Sequence, residues 1–155
     1  MIIVSACLAG QKVRYNGTDC LHNCIMELIE KGRAISVCPE ILGGFQTPRE
    51  PAEIIGGDGY DVHDGNAIVV DKKRNDVTQA YLEGAYKALQ IAQDWNAKLI
   101  VLKENSPSCG SGFIYAGSFN GVKKEGVGVT TALFRRKGIE VISEHYITTD
   151  VLARF

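Results

Sequence analysis

Short apolar runs alternate with helical spacing along this chain, and that alternation restricts the fold more than any other feature. Ile2-Ile3-Val4, Ala34-Ile35-Ser36-Val37, Leu99-Ile100-Val101-Leu102 and Ile139 to Ile142 are brief and nearly unbroken, the pattern of strands covered on both faces. Leu21 to Lys31 carries Leu21, Cys24, Ile25, Leu28 and Ile29 at amphipathic-helix spacing, and Gly32 is placed to end that helix. A longer helix is expected from Val77 to about Trp95, with Asp76 as its N-cap. A third is expected over Val129 to Arg136, stopped by Gly138, and Ala67 to Val70 reads as one more short strand. Gly43, Gly44, Pro48, Pro51, Gly56, Gly57 and Gly59 crowd a stretch that reads as a long irregular segment, of the kind that is often functional. The alternation predicts an α/β fold: a single domain over residues 1–155, three-layered and Rossmann-like, with a mainly parallel sheet.

Composition excludes several partner classes. The net charge of -1 gives no global electrostatic reason to bind nucleic acid or anionic membrane. Lys123-Lys124 and Arg135-Arg136-Lys137 read as solvated surface. No apolar stretch approaches the roughly 20 residues that span a bilayer, and the first residues lack a charged leader region. A cytoplasmic protein is expected, in which disulfides are rare. Five cysteines, an odd number, then point to metal ligands, reactive thiols or core positions.

Three of those cysteines stand at strand ends. Cys7 follows the first apolar run, Cys38 the second, and Cys109 lies shortly after the third. The C-terminal ends of parallel strands converge on one crevice, so these thiols can meet although they are far apart in sequence. Such a set suggests a metal or cluster site, or a reactive thiol with helpers. Cys38-Pro39-Glu40 adds a carboxylate two residues from a thiol, placed to act as general base or acid. Pro48-Arg49-Glu50-Pro51 holds Arg49 in a stiff loop, suited either to an anion or carbonyl oxygen or to an ion pair with Glu50 or Glu53.

Lys103-Glu104-Asn105-Ser106-Pro107-Ser108-Cys109-Gly110 packs two hydroxyls, an amide and a thiol into one turn, more than a structural turn needs. Ser5, before Cys7, and Ser108, before Cys109, are taken with Arg49 as substrate contacts. Cys20, His22 and Cys24 are a weaker metal corner, and Cys24 fits the apolar stripe of its helix. His63 and His145 have no recognisable partner. Neither a phosphate-binding loop nor a dinucleotide fingerprint is present.

Five segments together carry a resemblance. They are S-A-C-L-x-G-x-x-V-R-Y-x-G, C-P-E-x-x-G-G-x-x-x-P-R-x-P-A-E-I, D-V-T-x-x-Y-x-x-G-A, L-K-x-x-S-P-S-C-G, and G-x-G-V-T-T-A-L-F with V-I-S-E. In this order, over nearly the whole chain, they resemble the thiouracil desulfidase family. The resemblance implies a non-redox desulfidase. Three cysteines hold a [4Fe-4S] cluster, one iron stays open to the sulfur of a thiolated pyrimidine, a glutamate activates water, and a serine relays a proton. Sulfur then leaves as hydrosulfide.

Carried over by motif, Glu40 is the base, Ser106 the assisting hydroxyl, and Cys7 and Cys109 are two ligands. In some relatives the third ligand stands three positions after the glutamate, where this chain has Gly43. Either Cys38 completes the set or this branch does something else; Cys38 is taken as the ligand. The expected partner is a thiolated base or nucleoside rather than tRNA. A ligand-binding or redox-sensing module and a zinc-binding structural domain are the competing readings.

Overall fold

The computed structural model describes residues 1–19 and 21–155; Cys20, one member of the Cys20–His22–Cys24 corner, lies outside the described residues. In chain order the elements are β1 (Ile2–Ser5), α1 (Asn23–Glu30), β2 (Ala34–Val37), α2 (Pro39–Leu42), β3 (Ala52–Ile55), α3 (Gly59–His63), β4 (Ile68–Asp71), α4 (Thr78–Asp94), β5 (Leu99–Leu102), β6 (Phe113–Tyr115), β7 (Lys123–Glu125), α5 (Val129–Arg136), β8 (Glu140–Ser143) and α6 (Thr149–Ala153). Short 3-10 turns follow β1 at Ala6–Ala9 and β8 at Glu144–Tyr146.

Four parallel strands in the order β2-β1-β5-β8 form the central sheet. Successive side chains of a strand point to opposite faces, and the core divides accordingly. Ile2, Val4, Leu99 and Val101 pack with Ile25 and Leu28 of α1, and α6 leans on the same side. Ile3, Ile100 and Leu102 pack on the other side with Ala85, Ala88 and Leu89 of α4 and Leu133 and Phe134 of α5. The result is three layers, as the alternation predicts. Both central strands are buried throughout, which is why their sequences are unbroken apolar runs.

The predicted helices stand, with adjusted ends. α5 spans the expected residues. α4 begins at Thr78, and Asp76 still serves its start: its Oδ1 accepts from the Thr78 N–H at 2.9 Å and the Thr78 hydroxyl at 2.6 Å. α1 is shorter than its pattern, because Leu21 is exposed and the helix begins at Asn23. Cys24 is exposed rather than part of the buried stripe, which runs through Ile25 and Leu28.

The segment read as irregular is so only in part. Residues 43–51 hold no helix or strand, but α2 leads into the segment, β3 lies within it and pairs antiparallel with β4, and α3 begins at its end. These elements are four or five residues long, too short for a period to show among the glycines and prolines. α3 carries a capping box, Asp58 with Asp61, beyond the glycine pair. A second antiparallel ribbon, β6 with β7, also escaped the sequence reading.

Candidate active site

The strand order reverses between β1 and β5, and in an open α/β sheet the crevice at that reversal is the expected ligand site. A cavity of about 330 Å³ lies there, lined by Ser5, Cys7, Cys38, Glu40, Arg49, Ser106 and Cys109. Residues from four separate stretches of the chain therefore meet, seven of the eight site residues named from the sequence. Ser108 is the exception. It is buried, does not line the cavity, and its hydroxyl pairs with that of Thr130 at 2.8 Å. Successive residues of a tight turn cannot all face one way; here Ser106 and Cys109 face the cavity and Ser108 faces α5.

Each thiol is held by its own local device. Cys7 sits in the 3-10 turn after β1, its sulfur 3.5 Å from the Ser5 hydroxyl. Gly10 closes that turn at φ 83, a left-handed conformation that suits glycine. Cys38 is the N-cap residue of α2, with Pro39 in the first helical position.

Cys109 is fixed most firmly, through its backbone. Its N–H donates to Ser106 Oγ at 2.8 Å. The unpaired N–H groups at the start of α5 donate to the turn: Gly128 to Gly110 O, Val129 to Pro107 O and Thr130 to Ser108 O, each at 2.8 Å. The Thr131 hydroxyl donates to the Cys109 carbonyl at 3.1 Å. A Cβ at Gly128 would overlap the Ser108 carbonyl, so glycine is what lets α5 approach. The G-x-G-V-T-T segment thus clamps the S-P-S-C-G turn.

Burial raises the Cys109 thiol well above its ordinary pKa, with the Glu40 charge adding to the effect and the Cys38 and Cys7 sulfurs contributing. Burial also raises Cys38, partly offset by the Ile41 N–H. That mutual influence agrees with the three sulfurs facing one space. Cys24, Cys38 and Cys109 are free thiols.

Glu40 projects from the first turn of α2. Arg49 grips its Oε2 with Nε at 2.9 Å and Nη2 at 2.8 Å, and the Tyr81 hydroxyl donates to the same oxygen at 3.3 Å. Arg49 therefore forms an ion pair, but with neither of the glutamates the sequence suggested. Glu50 pairs with Lys73, and Glu53 accepts from the Gly117 and Phe119 N–H groups. With Nη1 on the Gln46 carbonyl, most of the guanidinium is committed to the protein.

Tyr81 is the site residue that sequence reasoning missed. It lies on the buried face of α4, and nothing in the sequence pattern signals that its hydroxyl reaches a carboxylate. Burial, and then the Glu40 charge, hold that phenol well above the usual tyrosine pKa, so it stays a donor. His63 and His145 also find partners, the Val129 carbonyl at 2.8 Å and Glu144 at 3.4 Å, both away from the cavity.

The donor set suits a cluster better than a single ion. A zinc site gathers its ligands around one point, and no three Cys, His, Asp or Glu side chains among the described residues do so. An iron–sulfur cluster is bound at separate corners, so its thiolates need only line one cavity, as Cys7, Cys38 and Cys109 do. The carboxylate and hydroxyl beside them have no part in a purely structural zinc site.

Fold and site together define an α/β protein with a thiol-lined cavity at the sheet reversal, carrying a carboxylate and a hydroxyl beside the thiols. The 2-thiouracil desulfurase family model matches residues 2–146, and the chain belongs to that family. It is 53% identical over 152 residues to the uncharacterized protein YbbK of Bacillus subtilis (strain 168), covering 98% of this chain and 100% of the relative. It also matches the solved structure of TudS, a [4Fe-4S]-dependent thiouracil desulfidase, with a TM-score of 0.87 and 45% identity over 99% of this chain and 96% of that one. No helix among the described residues is long and apolar enough to cross a membrane.

Proposed function

We propose that this chain is a [4Fe-4S]-dependent desulfidase that hydrolyses the thiocarbonyl of a thiolated pyrimidine base or nucleoside, releasing hydrosulfide. The observation that carries this reading is the meeting of Cys7, Cys38 and Cys109 with Glu40 and Ser106 around one cavity. Cys7, Cys38 and Cys109 would hold the cluster, which when bound supplies a thiophilic Lewis acid for the departing sulfur.

The remaining chemistry belongs to the chain's own groups. Glu40 takes a proton from water as the oxygen attacks the carbon bearing sulfur. A C–O bond replaces the C–S bond, and the sulfur leaves with the electron pair of that bond, so no external oxidant or reductant is needed. Ser106 Oγ already accepts the Cys109 N–H, which leaves its own proton free to donate toward the substrate. The size of the cavity and the near-neutral charge favour a small base or nucleoside over tRNA.

The test is anaerobic purification, iron and sulfide analysis, and a hydrosulfide-release assay on thiouracils. About four irons per chain and stoichiometric hydrosulfide are expected. Iron-free protein after anaerobic reconstitution, or tight zinc in its place, would overturn the reading.

A further inference from the structure

The Glu40 carboxylate is held asymmetrically. Three donors, Arg49 Nε, Arg49 Nη2 and Tyr81 Oη, all converge on Oε2. Oε1 has no hydrogen-bond partner among the described residues, and it is not sealed off from solvent. A carboxylate oxygen offers two lone pairs, so three donors saturate Oε2. The donors come from different elements: Tyr81 from the first turns of α4, Arg49 from the loop before β3. Both side chains lie against the same cavity. Tyr81 is itself locked, its ring packed against Phe45 at 5.2 Å between centroids.

We propose that Tyr81 and Arg49 are positioning residues that fix Glu40 through Oε2, so that Oε1 alone is presented to the attacking water. The proposal rests on the reading of Glu40 as the base. It assigns Tyr81 a part in the reaction, and gives Arg49 a role through Glu40 rather than through the substrate. Orientation of a catalytic group is worth a large share of its effect, since a base that rotates freely spends little time aligned with its proton.

The experiment compares Tyr81→Phe, Arg49→Lys and Glu40→Gln, each anaerobically reconstituted and assayed for iron, kcat and KM. Crystal structures of the apo-proteins give a readout independent of turnover. Tyr81→Phe keeps the ring packing and is expected to fold. Its kcat should fall about 5–10-fold with KM within about two-fold, as for loss of one charge-assisted hydrogen bond that serves only the chemical step. Its Glu40 carboxylate should be rotated in the apo crystal.

A wild-type kcat, or an unmoved carboxylate, overturns the role of Tyr81. Arg49→Lys keeps the charge but loses the two-pronged grip and should likewise lower kcat at unchanged KM. A raised KM with kcat retained would make Arg49 a substrate contact and overturn its part. Glu40→Gln should keep its iron and lose turnover. If it turns over at the wild-type rate, the base reading itself fails, an outcome distinct from the others.

Discussion

Cys38 stands at the N-cap of α2 with its thiol half-buried against the cavity, and Gly43 stands at the other end of the same short helix. The two are not interchangeable. A Cβ at Gly43 would overlap the Ala80 carbonyl of α4, so in this backbone no side chain fits there. That closes the position used for the ligand in some relatives and, among the described residues, leaves Cys38 as the third thiol at the cavity. Cys38→Ser is expected to lose most of its iron and its charge-transfer absorbance after reconstitution, while Cys24→Ser keeps both. Full iron in Cys38→Ser would remove that residue from the proposed ligand set.

Among the elements, α2 matters out of proportion to its length, because it carries both Cys38 and Glu40 toward the cavity. It rests on α4 through two glycines: a Cβ at Gly84 would overlap the Pro39 carbonyl and crowd Gly43 N. Gly84→Ala would favour the isolated helix by about 1 kcal/mol. The forced shift of α2 should outweigh that gain, giving a net loss of about 1–2 kcal/mol in denaturant unfolding and reduced iron loading.

The loop after β5 depends on Glu104 in a similar way. Its carboxylate accepts from the Ser111 hydroxyl and from the N–H groups of Asn105, Ser111 and Gly112. Burial raises its pKa, but these hydrogen bonds outweigh burial, and the folded-state value lies below the ordinary 4.5. A depressed carboxylate stabilises the fold above its unfolded pKa and loses that contribution as pH falls through the folded value. Unfolding measured from pH 6 down to pH 3 should therefore show an acid-labile component in the wild type that Glu104→Gln lacks, with Glu104→Gln less stable at the upper end.

At the scale of the whole molecule, the sheet is covered on each side by a separate core. Phe134, fully buried, anchors α5 in the core that includes α4, and α5 in turn clamps the Cys109 turn. Phe134→Ala should cost about 3–5 kcal/mol of unfolding free energy by chemical denaturation. Because α5 holds the turn, loss of reconstituted iron should accompany that destabilisation.

The four main strands, the three longer helices and the layer order were legible because each carries a local apolar pattern, an unbroken run in the strands and a period in the helices. The convergence of Cys7, Cys38 and Cys109 was legible for a related reason. Parallel strands force their C-terminal ends together, so position at a strand end already implies position at the crevice.

Other features belong to contacts between distant residues and leave no local mark. Nothing around Tyr81 announces that its hydroxyl meets Glu40, 41 residues earlier in the chain. Nothing around Arg49 selects Glu40 over Glu50 or Glu53. Ser108 looks like Ser106 in sequence, and only the seating of Gly128 against the turn decides which hydroxyl faces the cavity. The sequence by itself determined which groups gather at the crevice, because periodicity and strand direction act over a few residues. The tertiary structure alone decided which oxygen, sulfur and hydroxyl face inward, because that depends on packing between α2, α4, α5 and the turns they press upon.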